Sequence, residues 1–199
     1  AANAANVALV FVSCDEIDAA EGTDRRSMGI PAAQTALIEA VCRTNPNTAV
    51  ILTSGSCVEM PWVDLPAAIL QTYLLGEAQG TAIYDIVMGK VSASGKLPET
   101  YPVRFEDTPC PENYQTQPDN NLIYKESIYV GYRYFEKAGV PVLFPFGHGL
   151  SYTHFDYSDL TLSSKNITAN DKLQLTFTIT NSGGYGAAET AQVYVGLKS

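Results

Sequence analysis

Two short apolar runs, Val7 to Val12 (VALVFV) and Thr48 to Thr53 (TAVILT), restrict this chain more than any other feature. Each is short and apolar without alternation, the pattern of a strand buried on both faces of a parallel sheet. Parallel neighbours cannot be joined by a tight turn, so the residues between them must form a crossover. AAQTALIEAVCR (32–43) supplies it: Leu37, Ile38, Val41 and Cys42 fall at helical spacing, Pro31 suits the start and Asn45-Pro46 the stop. AILQTY (68–73) reads as a third strand, with a helical alternative left open. After a polar turn beginning at Gly76, TAIYDIVMG (81–89) reads as a helix closed by Gly89. Strand and helix in alternation make a right-handed α/β unit.

The order then changes. Lys90 to Asn121 is rich in Pro, Ser and Asp and lacks periodicity, as a long ordered surface connection would. IYVGYRYF (128–135) is aromatic and strand-like, and FPFGHGLSY (144–152) is a loop bent by Gly and Pro. LQLTFTIT (173–180) alternates strictly, the mark of an antiparallel strand with one wet face. Asn181-Ser182-Gly183-Gly184 makes a turn, and AETAQVYVG (188–196) is expected to be the next strand. The fold class is therefore α/β, a parallel-sheet domain over 1–152, followed over 153–199 by an incomplete β-sandwich. A sandwich of the immunoglobulin type needs about 100 residues and seven strands, against roughly 45 residues and three strands here. Something else is expected to complete both cores: missing sequence, a partner chain, or a second piece of a nicked protein.

Composition removes several classes of function. The 199 residues are 46% hydrophobic and 17% charged with a net charge of −9, and no basic cluster is present. Nucleic acid and anionic membrane surfaces are excluded as partners, because both need a Lys/Arg stripe. No stretch approaches the roughly 20 apolar residues of a membrane span. The opening residues lack the pattern of a signal peptide, and the compartment stays open. Cys14, Cys42, Cys57 and Cys110 show no C-x-x-C spacing, which argues against a zinc site. Cys14 and Cys57 each follow a strand-like run, so a disulfide between neighbouring strand ends stands as an alternative to free, partly buried thiols. Asn166-Ile167-Thr168 is an N-glycosylation sequon.

The usual catalytic constellations are absent. The sequence has no G-x-S-x-G elbow, no G-x-x-x-x-G-K-[ST], and no G-x-G-x-x-G after a strand. The only histidines, His148 and His154, read as structural, and neither a metal nor a cofactor is implied. What remains is the loop CDEIDAAEGTDRR, placed just beyond the end of the first apolar strand, the edge where α/β sheets put their sites. Five acids (Asp15, Glu16, Asp18, Glu21, Asp24) and then Arg25 and Arg26 lie there. A solvated acidic loop is one reading. In the other, Gly22 turns the backbone tightly and pushes the Glu21 carboxyl into a neighbouring cleft, while Asp24 and Arg25 pair and brace the loop.

Six motifs stand in register along the chain: Glu21-Gly22-Thr23-Asp24-Arg25; Met28 to Pro31; Asn45 to Thr48; Ser54-Gly55 with Val58-Glu59-Met60-Pro61-Trp62; Ser94 to Pro98; and Phe144 to Tyr152. With IYVGYRYFEK (128–137) they make the chain resemble family 3 glycoside hydrolases of the β-glucosidase type. That resemblance implies a (β/α)8 barrel followed by an α/β sandwich and a fibronectin III-like domain. It implies that Glu21 is the catalytic acid/base, serving an aspartate nucleophile on the barrel. The family's Ser-Asp-Trp nucleophile motif has no counterpart here; Ser158-Asp159-Leu160 lies in the wrong domain. The implied partners are a β-glucoside or oligosaccharide substrate and a barrel domain or chain outside these residues. Retaining glycosidases hold two carboxyls about 5–5.5 Å apart, one as nucleophile and one as acid then base. Thr23 stands where relatives often carry an aromatic residue, which leaves aglycone preference open. Asp15, Glu16 and Asp18 are the alternatives for the catalytic role. Glu59 and Trp62 read as structural, and Tyr132, Arg133 and the 144–152 loop as glue to the neighbouring domain. Rival functions are a non-catalytic carbohydrate- or protein-binding module and another family 3 specificity, β-xylosidase or N-acetylglucosaminidase.

Overall fold

The structure, a computed structural model, describes residues 2–14, 20–113, 121, 123–168 and 170–196. Its contacts divide the chain into two units, one of Ala1–Gly80 with Leu97–His148 and one of Thr81–Lys96 with Gly149–Ser199. In this division 81–96 groups with the C-terminal residues. Two hydrogen bonds of that second unit make the link: Lys96 Nζ donates to the Gly149 carbonyl at 2.7 Å, and the Ser92 and Ser151 hydroxyls meet at 2.9 Å.

The first unit is built on a three-stranded parallel sheet of β1 (Ala8–Ser13), β2 (Thr48–Thr53) and β3 (Ala68–Gln71), in the order β1-β2-β3. Helix α1 (Ala32–Thr44) is the crossover between β1 and β2. Its last turn closes on Asn45, whose N–H donates to the Val41 carbonyl at 2.8 Å. The buried Asn45 amide donates to the Ala2 and Ala5 carbonyls, tying the helix end to the start of the chain. Val10, Val12, Ile38, Val50 and Leu52 form the core, joined by Val58, Met60 and Trp62 from the segment after β2. One expectation fails at β1: Leu9 and Phe11 are 42% and 60% exposed, so the strand is not buried on both faces. Among the described residues β1 pairs only with β2 and is an edge strand with one face covered, whereas β2 lies in the middle with Val50, Ile51 and Leu52 buried.

Helix α2 (Gln79–Val87) ends near Gly89, whose φ of +68° is the left-handed turn expected of a closing glycine. The connection from 90 onward is largely irregular, as expected, interrupted by β4 (Tyr101–Pro102), which pairs antiparallel with β5 (Val142–Phe144). The strand expected over 128–135 is corrected. Residues Tyr132–Ala138 form helix α3, and 128–131 are turn and irregular backbone. Gly131 at φ +55° breaks any extended run, and Gly139 at φ +65° caps the helix end with its N–H on the Phe135 carbonyl. The aromatic content favours a strand, but Glu136, Lys137 and Ala138 before a glycine are a helix C-terminus.

In the second unit, β6 (Phe155–Leu162) pairs antiparallel with β7 (Leu175–Asn181). Leu175 and Phe177 are half-buried while Thr176 and Thr178 are exposed, as alternation requires, but Leu173 and Ile179 of the same alternating set are exposed. Asp159, at φ +56°, sits where the register shifts between Ser158 and Thr161, so Ser158-Asp159-Leu160 is a bulge. The strand expected over 188–196 does not form among the described residues, and Val193 and Val195 are 59% and 89% exposed there. A strand exists through its ladder, and apolar alternation without a partner strand does not make one.

Gly149 offers a sharp test of packing in this unit. A Cβ there would collide with the Gly95 carbonyl oxygen and come within 2.9 Å of Lys96 Cδ. Backbone cannot yield as a side-chain tip can, so Gly149→Ala is expected to cost about 1–3 kcal/mol, measured by thermal denaturation. Gly184→Ala, where nothing lies within 4 Å of the new methyl group, is the control and should change stability by less than about 0.5 kcal/mol.

Candidate active site

All three parallel strands end on the same edge of the sheet, and the polar residues of the first unit gather there. Cys14 follows β1, Ser54 to Cys57 follow β2, and Thr72 and Tyr73 follow β3. Backbone bonds hold the edge in register: Cys14 N–H donates to the Thr53 carbonyl at 3.2 Å and Thr72 N–H to the Leu52 carbonyl at 2.9 Å. Tyr73 takes a positive φ of 52°, unusual for a bulky residue and of a kind that clusters at functional sites.

Glu21 and Gly22 lie in a turn of the loop after β1, both exposed, and nothing lies within 4 Å of where a Gly22 Cβ would stand. The alternatives Asp15, Glu16 and Asp18 lie outside the described residues. The brace of the loop is Arg25, but its partners differ from the expected one. Its Nη1 donates to the Ser56 hydroxyl at 3.0 Å and the Cys57 carbonyl at 2.8 Å, and its Nη2 to the Met28 carbonyl at 3.0 Å. A longer contact runs from Nη2 to Cys14 Sγ at 3.6 Å. Among the described residues no ion pair joins Arg25 to Asp24, which is exposed. A guanidinium offers five donors in a rigid fork, and carbonyls turned inward at the strand edge can take them in a way that the exposed Asp24 side chain does not. Arg25 Nε is buried without a partner among the described residues.

Behind Arg25 the structure assembles a group that sequence reading missed. Glu99, half-buried, accepts from the Tyr73 hydroxyl at 3.5 Å and also interacts with the Cys57 thiol and backbone amide. The Tyr101 hydroxyl reaches Tyr73 at 3.4 Å. Burial holds the Glu99 carboxyl above the usual glutamate range, only partly offset by these hydrogen bonds and the Arg25 charge. Burial and then the Glu99 charge push the Cys57 thiol up to about 12, so it stays protonated. Tyr73 and Tyr101 are raised too, burial again leading. The only sequence signal was Glu99 inside Leu97-Pro98-Glu99-Thr100-Tyr101-Pro102, an acid between apolar residues with no motif of its own.

Arg25, Cys57, Glu99, Thr100, Tyr132 and Phe146 line an open cleft of about 1000 Å³. Tyr132 stacks on Phe146 at 5.2 Å between centroids, and Arg133 lies over the Tyr132 ring at 5.9 Å. Glu59 ties three segments: its N–H donates to the Met28 carbonyl at 2.9 Å, and its carboxylate accepts from the Phe105 N–H at 2.7 Å. Trp62 is in the core, 1% exposed. His148 stacks on Phe144 at 5.0 Å. No disulfide joins the four cysteines. Among the described residues no cluster of His, Cys, Asp and Glu could hold a metal ion, and no helix is long and apolar enough to cross a membrane.

Comparison with known proteins gives the family. Residues 1–152 match the glycosyl hydrolase family 3 C-terminal domain. Thermostable beta-glucosidase B of Acetivibrio thermocellus is 43% identical over 195 residues, covering 98% of this chain and 26% of that protein. The probable beta-glucosidase I of Aspergillus terreus is 40% identical over 200 residues, 98% of this chain and 24% of its own length. Among solved structures, the GH3 beta-glucosidase of Bifidobacterium adolescentis superposes with a TM-score of 0.87 at 37% identity, over 94% of this chain and 27% of that one. This chain thus spans about a quarter of the length of these relatives.

Proposed function

Since the chain belongs to glycoside hydrolase family 3, whose C-terminal domain it carries over residues 1–152, we propose that it is the acid/base-bearing part of a retaining exo-β-glucosidase. Glu21 protonates the departing glycosidic oxygen and then deprotonates the attacking water. The nucleophilic aspartate stands on a barrel domain or chain outside these 199 residues. A single observation carries the reading: Glu21 is exposed in a turn beyond the C-terminal end of a parallel strand, on a loop anchored by Arg25 to the next strand's end. A carboxyl so placed is free to enter a site that another domain completes. Retaining chemistry needs two carboxyls about 5–5.5 Å apart, and a rigidly braced loop lets one of them come from a different domain with that precision. The names of the relatives, beta-glucosidases of bacteria and fungi, favour a β-glucoside as substrate.

The test uses a panel of aryl β-glycosides on the complete protein, with the first-formed anomer followed by proton NMR. Release of β-glucose from the β-glucoside ahead of the xyloside and the N-acetylglucosaminide is expected. An α-anomer as first product would overturn retention, and a dominant xyloside or N-acetylglucosaminide would overturn the specificity. The 199-residue chain alone should hydrolyse none of them, since it brings an acid without a nucleophile.

A further inference from the structure

We infer that Glu99 is a positioning residue for the Glu21 loop, acting through Cys57 and Arg25; this rests on the reading of Glu21 as acid/base. The argument starts from Arg25. Its guanidinium is partly buried, and its hydrogen-bond partners among the described residues are neutral: the Ser56 hydroxyl, the Cys57 and Met28 carbonyls and the Cys14 sulfur. Neutral acceptors satisfy donors but leave the charge uncompensated, and a cation withdrawn from water needs a counter-charge. Among the described residues no carboxylate lies within ion-pair distance of Arg25. Among the described residues, Glu99 offers such a counter-charge across one residue, Cys57. It lines the same cleft, and its field and that of Arg25 act on each other.

The shared residue is Cys57. Arg25 donates to its carbonyl at 2.8 Å, and Cys57 lines the cleft together with Glu99, whose carboxyl and the Cys57 thiol act on each other electrostatically. Tyr73, held in a left-handed conformation, and Tyr101 fix the far side of the carboxyl. The chain from Glu99 to Cys57 to Arg25 therefore runs from an ordered wall of the cleft to the base of the loop, four residues from Glu21. Removing the Glu99 charge takes a counter-charge away from Arg25 and lets the loop base shift. A misplacement on the order of 1 Å at a reacting group costs about a hundredfold in rate, so a partial loosening should cost about 10- to 100-fold.

The experiment is a leaving-group series of aryl β-glucosides, run on the complete protein with Glu99→Gln, Glu99→Asp, Arg25→Lys, the double variant Glu99→Gln/Arg25→Lys, and Glu21→Ala in parallel. Glu99→Gln keeps the shape of the side chain and loses its charge; Glu99→Asp keeps the charge should the amide variant fold poorly. The expected result for Glu99→Gln is a loss in kcat that grows with leaving-group pKa, as for Glu21→Ala but smaller, with Glu99→Asp nearer the parent. The double variant should lose little more than the worse single one, because the two residues act as a unit. A loss equal for every leaving group, or none, would overturn the proposal, because a purely structural role moves all substrates alike. Additive losses in the double variant would overturn the route through Arg25. If Glu21→Ala itself shows no dependence on the leaving group, the acid/base reading fails first and takes this inference with it.

Discussion

Glu21→Ala in the complete protein should lower kcat for β-glucosides with poor leaving groups by about 10²–10⁴-fold, the usual contribution of a positioned acid or base. The loss should shrink steeply for an activated leaving group such as dinitrophenolate, which departs without a proton. Its glucosyl-enzyme then accumulates, since water must now attack without a base. Azide needs no base, so it should restore turnover and give β-glucosyl azide as product, the configuration following from two inversions. These results separate a missing proton donor from a damaged fold, which azide would not repair. The same series on Asp15, Glu16 and Asp18 variants decides between the loop's acids, and only the catalytic one should show both signatures. A Glu21→Ala protein that handles poor leaving groups as the parent does would remove the acid/base assignment.

The legible part of this fold is the part in which local pattern and tertiary environment agree. TAVILT became the central strand β2, and the helix between the two runs ends at Asn45 as Asn-Pro dictates. VALVFV is a similar unalternating apolar run but sits at an edge, so Leu9 and Phe11 face outward; a sequence run does not reveal how many neighbours its strand has. The 128–135 segment failed for a different reason. Aromatic strand propensity there competes with a glycine-bounded Glu-Lys-Ala helix end, and Gly131 and Gly139 decided it through positive φ.

The site divides along similar lines. Glu21 and Arg25 were visible because they occupy one contiguous loop next to a strand end. The partners of Arg25 were not, because Ser56 and Cys57 lie 31 and 32 residues away and two of the acceptors are backbone carbonyls that carry no side-chain signal. Asp24 is the obvious neighbour in sequence, yet among the described residues no ion pair joins it to Arg25. Glu99 escaped notice for a related reason: it acquires its character from burial against Cys57 and Tyr73, a property of the sheet edge rather than of the residues flanking it.

Trp62→Ala should destabilise the domain by about 3–5 kcal/mol, the range for removing a large aromatic side chain from a core. Trp62 is the chain's single tryptophan, 1% exposed, in one cluster with Val10, Val12, Ile38, Val50 and Leu52. Burial of roughly 200 Å² at about 25 cal/mol per Å² gives ~5 kcal/mol, so the transfer cost alone accounts for the effect. At roughly 2–4 °C per kcal/mol for a unit of this size, the domain's transition should fall by about 6–20 °C in calorimetry of the complete protein. Trp62→Phe should cost far less. The indole N–H has no hydrogen-bond partner among the described residues, so the phenyl ring gives up some buried area but strands no acceptor, and deleting a buried unpaired donor returns part of the loss. The contrast between the two variants is the informative quantity. If Trp62→Phe proves as damaging as Trp62→Ala, the ring is held by its N–H rather than by packing, and the account of this core as apolar around Trp62 is wrong. If Trp62→Ala is mild, the segment after β2 that brings Val58, Met60 and Trp62 under the sheet does not anchor the edge on which Ser56 and Cys57 receive Arg25.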